Sequence, residues 1–252
     1  MDRRIFNSIA LLAGASLTIK QALAQITLQD LSGLISKPTA GQGKSGTLDA
    51  LSGDEASKGL KVALEKGALA AVGALGVKDG FLGNDLVRIP LPGYLNDAAQ
   101  LLRTFGQGAQ VDELLTAMNR AAEAAVPQSK ELLLKAVQNM SVTDAKAILT
   151  GGNTAVTDFF AGKTRPNLAA KFLPVVTQAT AKVGLAGKYN EVAGKASDLG
   201  LVKKEDANIQ QYVTAKTLDG LFFMIAEEEK KIRQNPVGYG SAILSKVFGA
   251  LK

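Results

Sequence analysis

Residues 207–234, ANIQQYVTAKTLDGLFFMIAEEEKKIRQ, form the stretch around which we expect the rest of the chain to fold. Asp206 is a candidate N-cap in front of it and Pro236 follows its end, so the sequence predicts one long helix. Between 218 and 225, apolar residues surround Asp219 on every side of that helix. Because a helix that is apolar all round is typical of a buried position, we predict an all-α domain built around it.

The segments before this helix repeat the helical pattern and are separated by glycine and proline. Residues 77–92 interrupt the pattern as a long connection, in which Pro90 and Pro92 exclude helix and favour an extended chain. No run alternates convincingly with period two, so any sheet is expected to be minor. The prediction is an irregular single domain at 53–252 with about eight to ten helices. The predicted spans are 52–75, 93–105, 109–126, 128–140, 141–150, 154–161, 166–183, 186–197 and 207–234, followed by an amphipathic helix carrying Ile243, Leu244, Val247, Phe248 and Leu251.

The first 24 residues predict a cleavable export signal. They combine Arg3-Arg4, a short apolar middle and the small-residue end Ala22-Leu23-Ala24, so that cleavage leaves Gln25 first. Arg3-Arg4-Ile5-Phe6 matches the core of a bacterial twin-arginine signal, and an ordinary secretory signal with two arginines is the alternative. Residues 25–52 are predicted to be a flexible tether. Since no uninterrupted apolar run of about 18 residues follows, we predict a soluble periplasmic protein.

The charge and the missing residue types exclude several classes of function. The formal net charge is +6, and removal of the signal, with three basic side chains and one acidic, leaves +4 spread along the chain. Without a dense Lys/Arg block, nucleic acid is not expected as a partner. The chain has no His and no Cys, which excludes Ser-His-Asp and Cys-His catalysis, the usual zinc and iron–sulfur sites, and disulfides. Carboxylate, lysine, tyrosine and hydroxyl chemistry or an all-oxygen cation site remain available, and we predict no cofactor and no metal.

Five segments form a specific combination. They are GLK at 59–61 with EKG at 65–67, VRIPLP at 87–92, NRAAEAA at 119–125, DAKAILTGG at 144–152 and LDGLFFMIAEEEKKIRQNP at 218–236. The combination resembles an uncharacterised family of exported bacterial proteins, catalogued as domain of unknown function 4197. The resemblance covers nearly all of residues 50–250 and implies an exported helical domain. It implies no reaction, and no catalytic residue is carried over from it.

Asp219 is an acidic residue with apolar neighbours on every side of its helix, which marks a buried helix. A buried carboxylate needs hydrogen bonds or a cation, or it takes up a proton. An ion pair with a core arginine or with Lys216, a role in a functional pocket, and simple exposure remain open. We expect its carboxylate to meet Arg88 or Arg120 in a semi-buried network that also includes Asn119.

Arg88 lies between Val87 and Ile89 in the extended connection. Successive side chains of an extended chain point to opposite sides. If Val87 and Ile89 pack inward, Arg88 therefore faces solvent or a cleft, where it forms a salt bridge or holds an anion.

Asn119, Arg120 and Glu123 are close enough on one helix for local bonding. They either join helices to each other or belong to a polar pocket with Arg88 and Asp219. The acidic run 227–229 is followed by basic residues and is typical of a solvated helix end with internal ion pairs.

The sequence favours a non-catalytic binding or interaction module for an anionic small molecule, an envelope polymer or another envelope protein. Arg88 and Arg120 supply cationic donors in this hypothesis, and Asn119 supplies an orienting amide. The alternative is a carboxylate-dependent hydrolase acting on an envelope polymer, with Asp219 as an acid of raised pKa and Glu123 as the second carboxylate in one cleft. The candidate ligand-binding residues are therefore Arg88, Asn119, Arg120, Glu123 and Asp219, no catalytic residue is predicted, and the oligomeric state is left open.

Overall fold

The structure, a computed structural model, describes residues 53–235, and every regular element within that range is helical. The all-α prediction is therefore confirmed for this part of the chain. Two short 3-10 turns, Val126–Ser129 and Lys204–Asp206, join longer helices. The α-helices are α1 (Gly53–Leu75), α2 (Gly93–Thr104), α3 (Gly108–Ala125), α4 (Lys130–Gln138), α5 (Val142–Thr150), α6 (Ala155–Thr180), α7 (Gly184–Asp198) and α8 (Ile209–Gln234).

Helix α8 packs against α6, α1 and α3, as its predicted central role requires. Leu218, Leu221 and Ile225 on α8 are almost fully buried. Burial of each such side chain contributes about 1.5–3 kcal/mol. The apolar residues of α1 that recur with the period of a helix are buried as well, from Leu60 to Leu75, so α1 and α8 both present one face to the core.

The N-terminus of α8 lies two residues later than predicted. Asn208, not Asp206, is the N-cap, and its Oδ1 accepts the backbone N–H groups of Gln210 at 3.0 Å and Gln211 at 3.1 Å. Asp206 instead ends the preceding 3-10 turn. An asparagine cap satisfies two of the N–H groups that the first turn of a helix leaves without partners.

Helix α6 is continuous, so the predicted division into helices at 154–161 and 166–183 is wrong. Pro166 and Pro174 both lie inside it. Each proline costs about 3 kcal/mol in a helix interior. Every fourth residue nevertheless lies on one buried face, and burial of the four apolar members of that face offsets this cost. The buried face consists of Phe160, Thr164, Leu168, Phe172, Val176 and Thr180. The described region thus has fewer separate helices than the sequence predicted for it.

The predicted signal at 1–24, the tether at 25–52 and the amphipathic helix near the C-terminus lie outside the described residues. Among the helices between 53 and 235, none is both long and apolar enough to cross a membrane.

Candidate functional site

The connection between α1 and α2, residues 76–92, is fixed from one side by α3. Asn119 on α3 is fully buried, and its Oδ1 accepts the backbone N–H of Ile89 at 2.8 Å. Its Nδ2 donates to the carbonyl oxygens of Ile89 at 3.0 Å and Leu115 at 2.9 Å. The amide therefore satisfies both backbone groups of Ile89, as a neighbouring strand would.

Glu123, one turn further along α3, holds the first half of the connection. Its Oε1 accepts the backbone N–H groups of Phe81 and Leu82, both at 3.0 Å. Its Oε2 accepts a hydrogen bond from Nη1 of Arg120 at 2.6 Å. With only 5% of its surface exposed, this carboxylate is compensated by two amides and one guanidinium, as a buried charge must be.

Arg120 completes this network by reaching back to the connection. Its Nη2 lies 2.7 Å from Oδ1 of Asp79. The pKa of Arg120 is raised above its ordinary value, mainly by the hydrogen bond to Glu123 and secondly by the one to Asp79. Asp79 has a φ of 68°, a left-handed conformation that costs energy for a residue with a side chain. The ion pair with Arg120 stabilises Asp79 in that conformation.

Helix α8 contacts the connection from the other side. The hydroxyl of Tyr212 donates to the carbonyl oxygen of Pro90 at 3.1 Å. Phe81 packs so closely on Gly220 that a Cβ there would lie 2.7 Å from the Cε1 atom of the ring. The connection is thus held between α3 and α8, and Asn119, Arg120 and Glu123 join a helix to a loop rather than a helix to a helix.

Arg88 projects from the outer side of this fixed segment. Val87 and Ile89 are buried, with 8% and 1% of their surfaces exposed, while Arg88 is exposed. The predicted alternation is therefore confirmed. Among the acidic residues whose side chains the structure describes, none has its carboxylate within ion-pair distance of the Arg88 guanidinium.

An open groove of about 590 Å³ lies between residues 86–93 and the outer face of α8, and we refer to it as the connection groove. It brings two of the predicted site residues, Arg88 and Asp219, to one surface. Lys216 and Tyr212 contribute an ammonium group and a phenol ring to the same surface. The groove is also lined by Leu86 and Phe223, whose side chains are exposed.

The position predicted for Asp219 is wrong. Its side chain is 51% exposed and its carboxylate pairs with Nη2 of Arg165 at 2.6 Å and Nζ of Lys216 at 3.7 Å. Neither Arg88 nor Arg120 pairs with it, and Asn119 bonds to the connection instead. The reason is that the buried face of α8 passes through the residues on either side of position 219, which itself faces outward. Lys216 was one of the partners that the sequence left open.

Arg165 is the partner that sequence reasoning missed. Besides contacting Asp219, its guanidinium lies 5.3 Å from the centre of the Phe222 ring. The predicted break before Pro166 had placed Arg165 between two helices, where its side-chain direction was undefined. Continuity of α6 fixes it opposite α8.

A second buried acidic group was also missed, at the end of α8. Glu228 and Glu229 are only 7% and 3% exposed, so the predicted solvated helix end is wrong for both. Glu229 pairs with Arg233 at 2.8 Å and accepts the N–H groups of Val156 and Thr157, both at 3.4 Å. It thereby places a negative charge at the N-terminus of α6, which favours anions. The i, i+4 spacing of Glu229 and Arg233 was the available signal.

Glu123 and Asp219 do not form the pair of carboxylates in one cleft that the hydrolase hypothesis needs. Both oxygens of Glu123 are bonded to the connection or to Arg120, whereas Asp219 lies in the separate network with Arg165 and Lys216. Glu123 does not line the connection groove. In the described part of the chain, no three acidic side chains come together as a candidate metal site.

A family model described as "Protein of unknown function (DUF4197)" matches residues 50–249. No curated protein and no solved structure matches the chain.

Proposed function

Because that match covers most of its length, the chain belongs to the DUF4197 family, and we propose that it is a non-catalytic binding module for an anionic ligand. The proposed site is the connection groove, with Arg88 as its principal cation. We further propose that the protein works in the periplasm after export, on the basis of the signal-like residues 1–24.

The observation that carries this proposal is the state of Arg88. An exposed arginine on a mobile loop does not by itself indicate a binding site. The backbone of Arg88, however, is fixed by buried residues on both sides and by the hydrogen bonds of Asn119 to Ile89. Its guanidinium has five N–H donors in a fork that matches a carboxylate or phosphate. Such a group, without a partner among the acidic side chains that the structure describes, is suited to an anion from outside.

The charge around Arg88 supports the same conclusion. The connection groove contains Arg88, Lys216 and Asp219 as charged groups. Asp219 is already paired with Arg165, which lies outside this groove. The groove therefore keeps a positive balance, which attracts anions. The exposed side chains of Leu86 and Phe223 add apolar surface beside the cations, as in many small-molecule sites.

The function is tested by calorimetric titration of the full mature protein with citrate and with pyrophosphate as anionic probes. We expect binding of at least one probe, with an affinity that Arg88→Ala weakens about tenfold or more and Lys216→Ala weakens less, because Arg forms bidentate bonds and Lys does not. Arg103→Ala is the matched control, since Arg103 pairs with Asp112 outside this groove. Equal losses in Arg88→Ala and Arg103→Ala would show only a general charge effect and would refute the site.

The alternative of a carboxylate-dependent hydrolase receives no comparable support. It needs one protonated and one ionised carboxylate facing the same cleft. Asp219 and Glu123, the two candidates, belong to separate networks, and each is paired with a cation. We therefore favour binding over catalysis, with an anionic small molecule, an envelope polymer or another envelope protein as the partner.

A further inference from the structure

The connection groove has apolar surface that a purely polar anion would leave uncovered. Leu86 on one wall and Phe223 on the other are 69% and 38% exposed. Pro90, which is also exposed, lines the groove two residues after Arg88. The volume of about 590 Å³ is within the range of pockets that hold a drug-sized molecule, and one acidic group needs far less. A ligand that covers this surface therefore gains from apolar burial as well as from charge.

The charged groups of the groove limit the charge of that ligand. Arg88 pairs with none of the acidic side chains that the structure describes, whereas Nζ of Lys216 lies 3.7 Å from Asp219 and 5.9 Å from the centre of the Tyr212 ring. Arg88, Lys216 and Asp219 together carry a net charge of +1, which one carboxylate neutralises. Because the side chain of Asp219 is 51% exposed and lines the groove, a second acidic group on the ligand would meet a like charge, which is unfavourable.

We propose that the ligand of the connection groove is a small monocarboxylic acid with an apolar body. Its carboxylate forms two parallel hydrogen bonds with the guanidinium of Arg88, and its body covers Phe223 and Leu86. This inference rests on the proposed function and narrows its ligand, since a polar anion with several charges has no apolar part for these side chains.

The experiment compares four probes by calorimetric titration of the full mature protein at pH 7.5: 3-phenylpropionate, propionate, 3-phenylpropionamide and benzylmalonate. We expect 3-phenylpropionate to bind about tenfold or more tightly than propionate, because only its ring covers the apolar surface. The amide, which has the same body without the charge, should bind at least tenfold more weakly than the acid. Benzylmalonate adds a second carboxylate to the same body and should bind about threefold or more weakly than 3-phenylpropionate.

Variants of the two walls test the role of the apolar side chains. Phe223→Ala should remove most of the preference for 3-phenylpropionate over propionate and leave the affinity for propionate unchanged. Leu86→Ala, at a more exposed position, should reduce the same preference. The matched control is Phe105→Ala, since Phe105 is 73% exposed and lies outside the groove, and this variant should keep the preference. A preference that persists in both Phe223→Ala and Leu86→Ala would overturn the proposal, as would tighter binding of benzylmalonate than of 3-phenylpropionate.

Failure of this inference can be distinguished from failure of the proposed function. If citrate or pyrophosphate binds through Arg88 while 3-phenylpropionate binds no better than propionate, or not at all, the inference is wrong and the proposed function stands. If Arg88→Ala leaves the affinities of all these anions unchanged, or if none of them binds, the proposed function is wrong and the inference fails with it.

Discussion

Replacement of Asn119 by alanine should destabilise the fold strongly although it removes only a small polar side chain. Asn119 makes three hydrogen bonds, two of them to Ile89, a residue that is 1% exposed. In Asn119→Ala the N–H and C=O of Ile89 lose their partner, and water does not reach them. A buried polar group left without a partner costs about 1–3 kcal/mol, so two groups cost roughly 2–6 kcal/mol. That is a large part of the about 5–15 kcal/mol by which folded domains are stable.

The measurement is urea unfolding of the mature protein followed by far-UV circular dichroism. The midpoint should fall with little change in slope, since the surface exposed on unfolding is nearly the same. Asn167→Ala, on the exposed side of α6, is the control and should stay within about 0.5 kcal/mol of the wild type. Hydrogen exchange gives a second readout: the amide of Ile89 should lose protection while α6 keeps its own. A loss below about 1 kcal/mol, with that amide still protected, would refute the anchoring role of Asn119.

Three further predictions concern other parts of the chain. Gly220→Ala should lower the free energy of unfolding by about 1–3 kcal/mol and the melting temperature with it, because the fully buried Phe81 ring lies where the new methyl group would be. Gly187→Ala is the control and should not lower them, since open space surrounds Gly187. Ser141 is the N-cap of α5, and hydrogen bonds from its backbone N–H and its hydroxyl hold the pKa of Asp144 below its ordinary value of 3.8. The stability that the Asp144 carboxylate contributes is therefore complete above pH 3.8 and is lost as the pH falls through the lowered pKa. The free energy of unfolding of Asp144→Asn should accordingly depend less on pH below about 4 than that of the wild type. Finally, the intact mass of the protein recovered from the periplasm of a bacterial host should correspond to a chain that begins at Gln25, with or without loss of ammonia as that glutamine cyclises; an intact N-terminus in the cytoplasm would contradict export.

The helical scaffold was predictable because core-facing residues recur with the period of a helix. The spans of α1 and α3 follow from that period and from glycine and proline at their ends, and the apolar residues of α1 that recur with it are the buried ones. The break predicted in α6 shows the limit of this reasoning. Propensity penalises a proline locally, whereas the burial that offsets it depends on helices distant in the chain.

The candidate site was predictable only in part. The alternation around Arg88 depends on backbone geometry alone, so its outward direction followed from the sequence. The environment of Asp219 did not follow from the sequence, because apolar neighbours on a helix do not reveal which of them line an open groove. Phe223 is exposed and Met224 is only partly buried, so the apolar sequence around Asp219 predicts more burial than the helix has. The pairing of Asn119 and Glu123 with the connection requires the path of that loop, which no local pattern specifies.

The anchoring of residues 76–92 has a consequence for conformational entropy. A loop that orders only when a ligand arrives loses about 1–2 kcal/mol of entropy for each residue whose backbone becomes fixed. In this protein Asn119, Glu123 and Tyr212 have already fixed the backbone around Arg88. An anion bound at the proposed site would therefore have to order one side chain, at a cost of no more than about 2 kcal/mol. Even a ligand with few atoms, which makes few contacts, can offset a cost of that size.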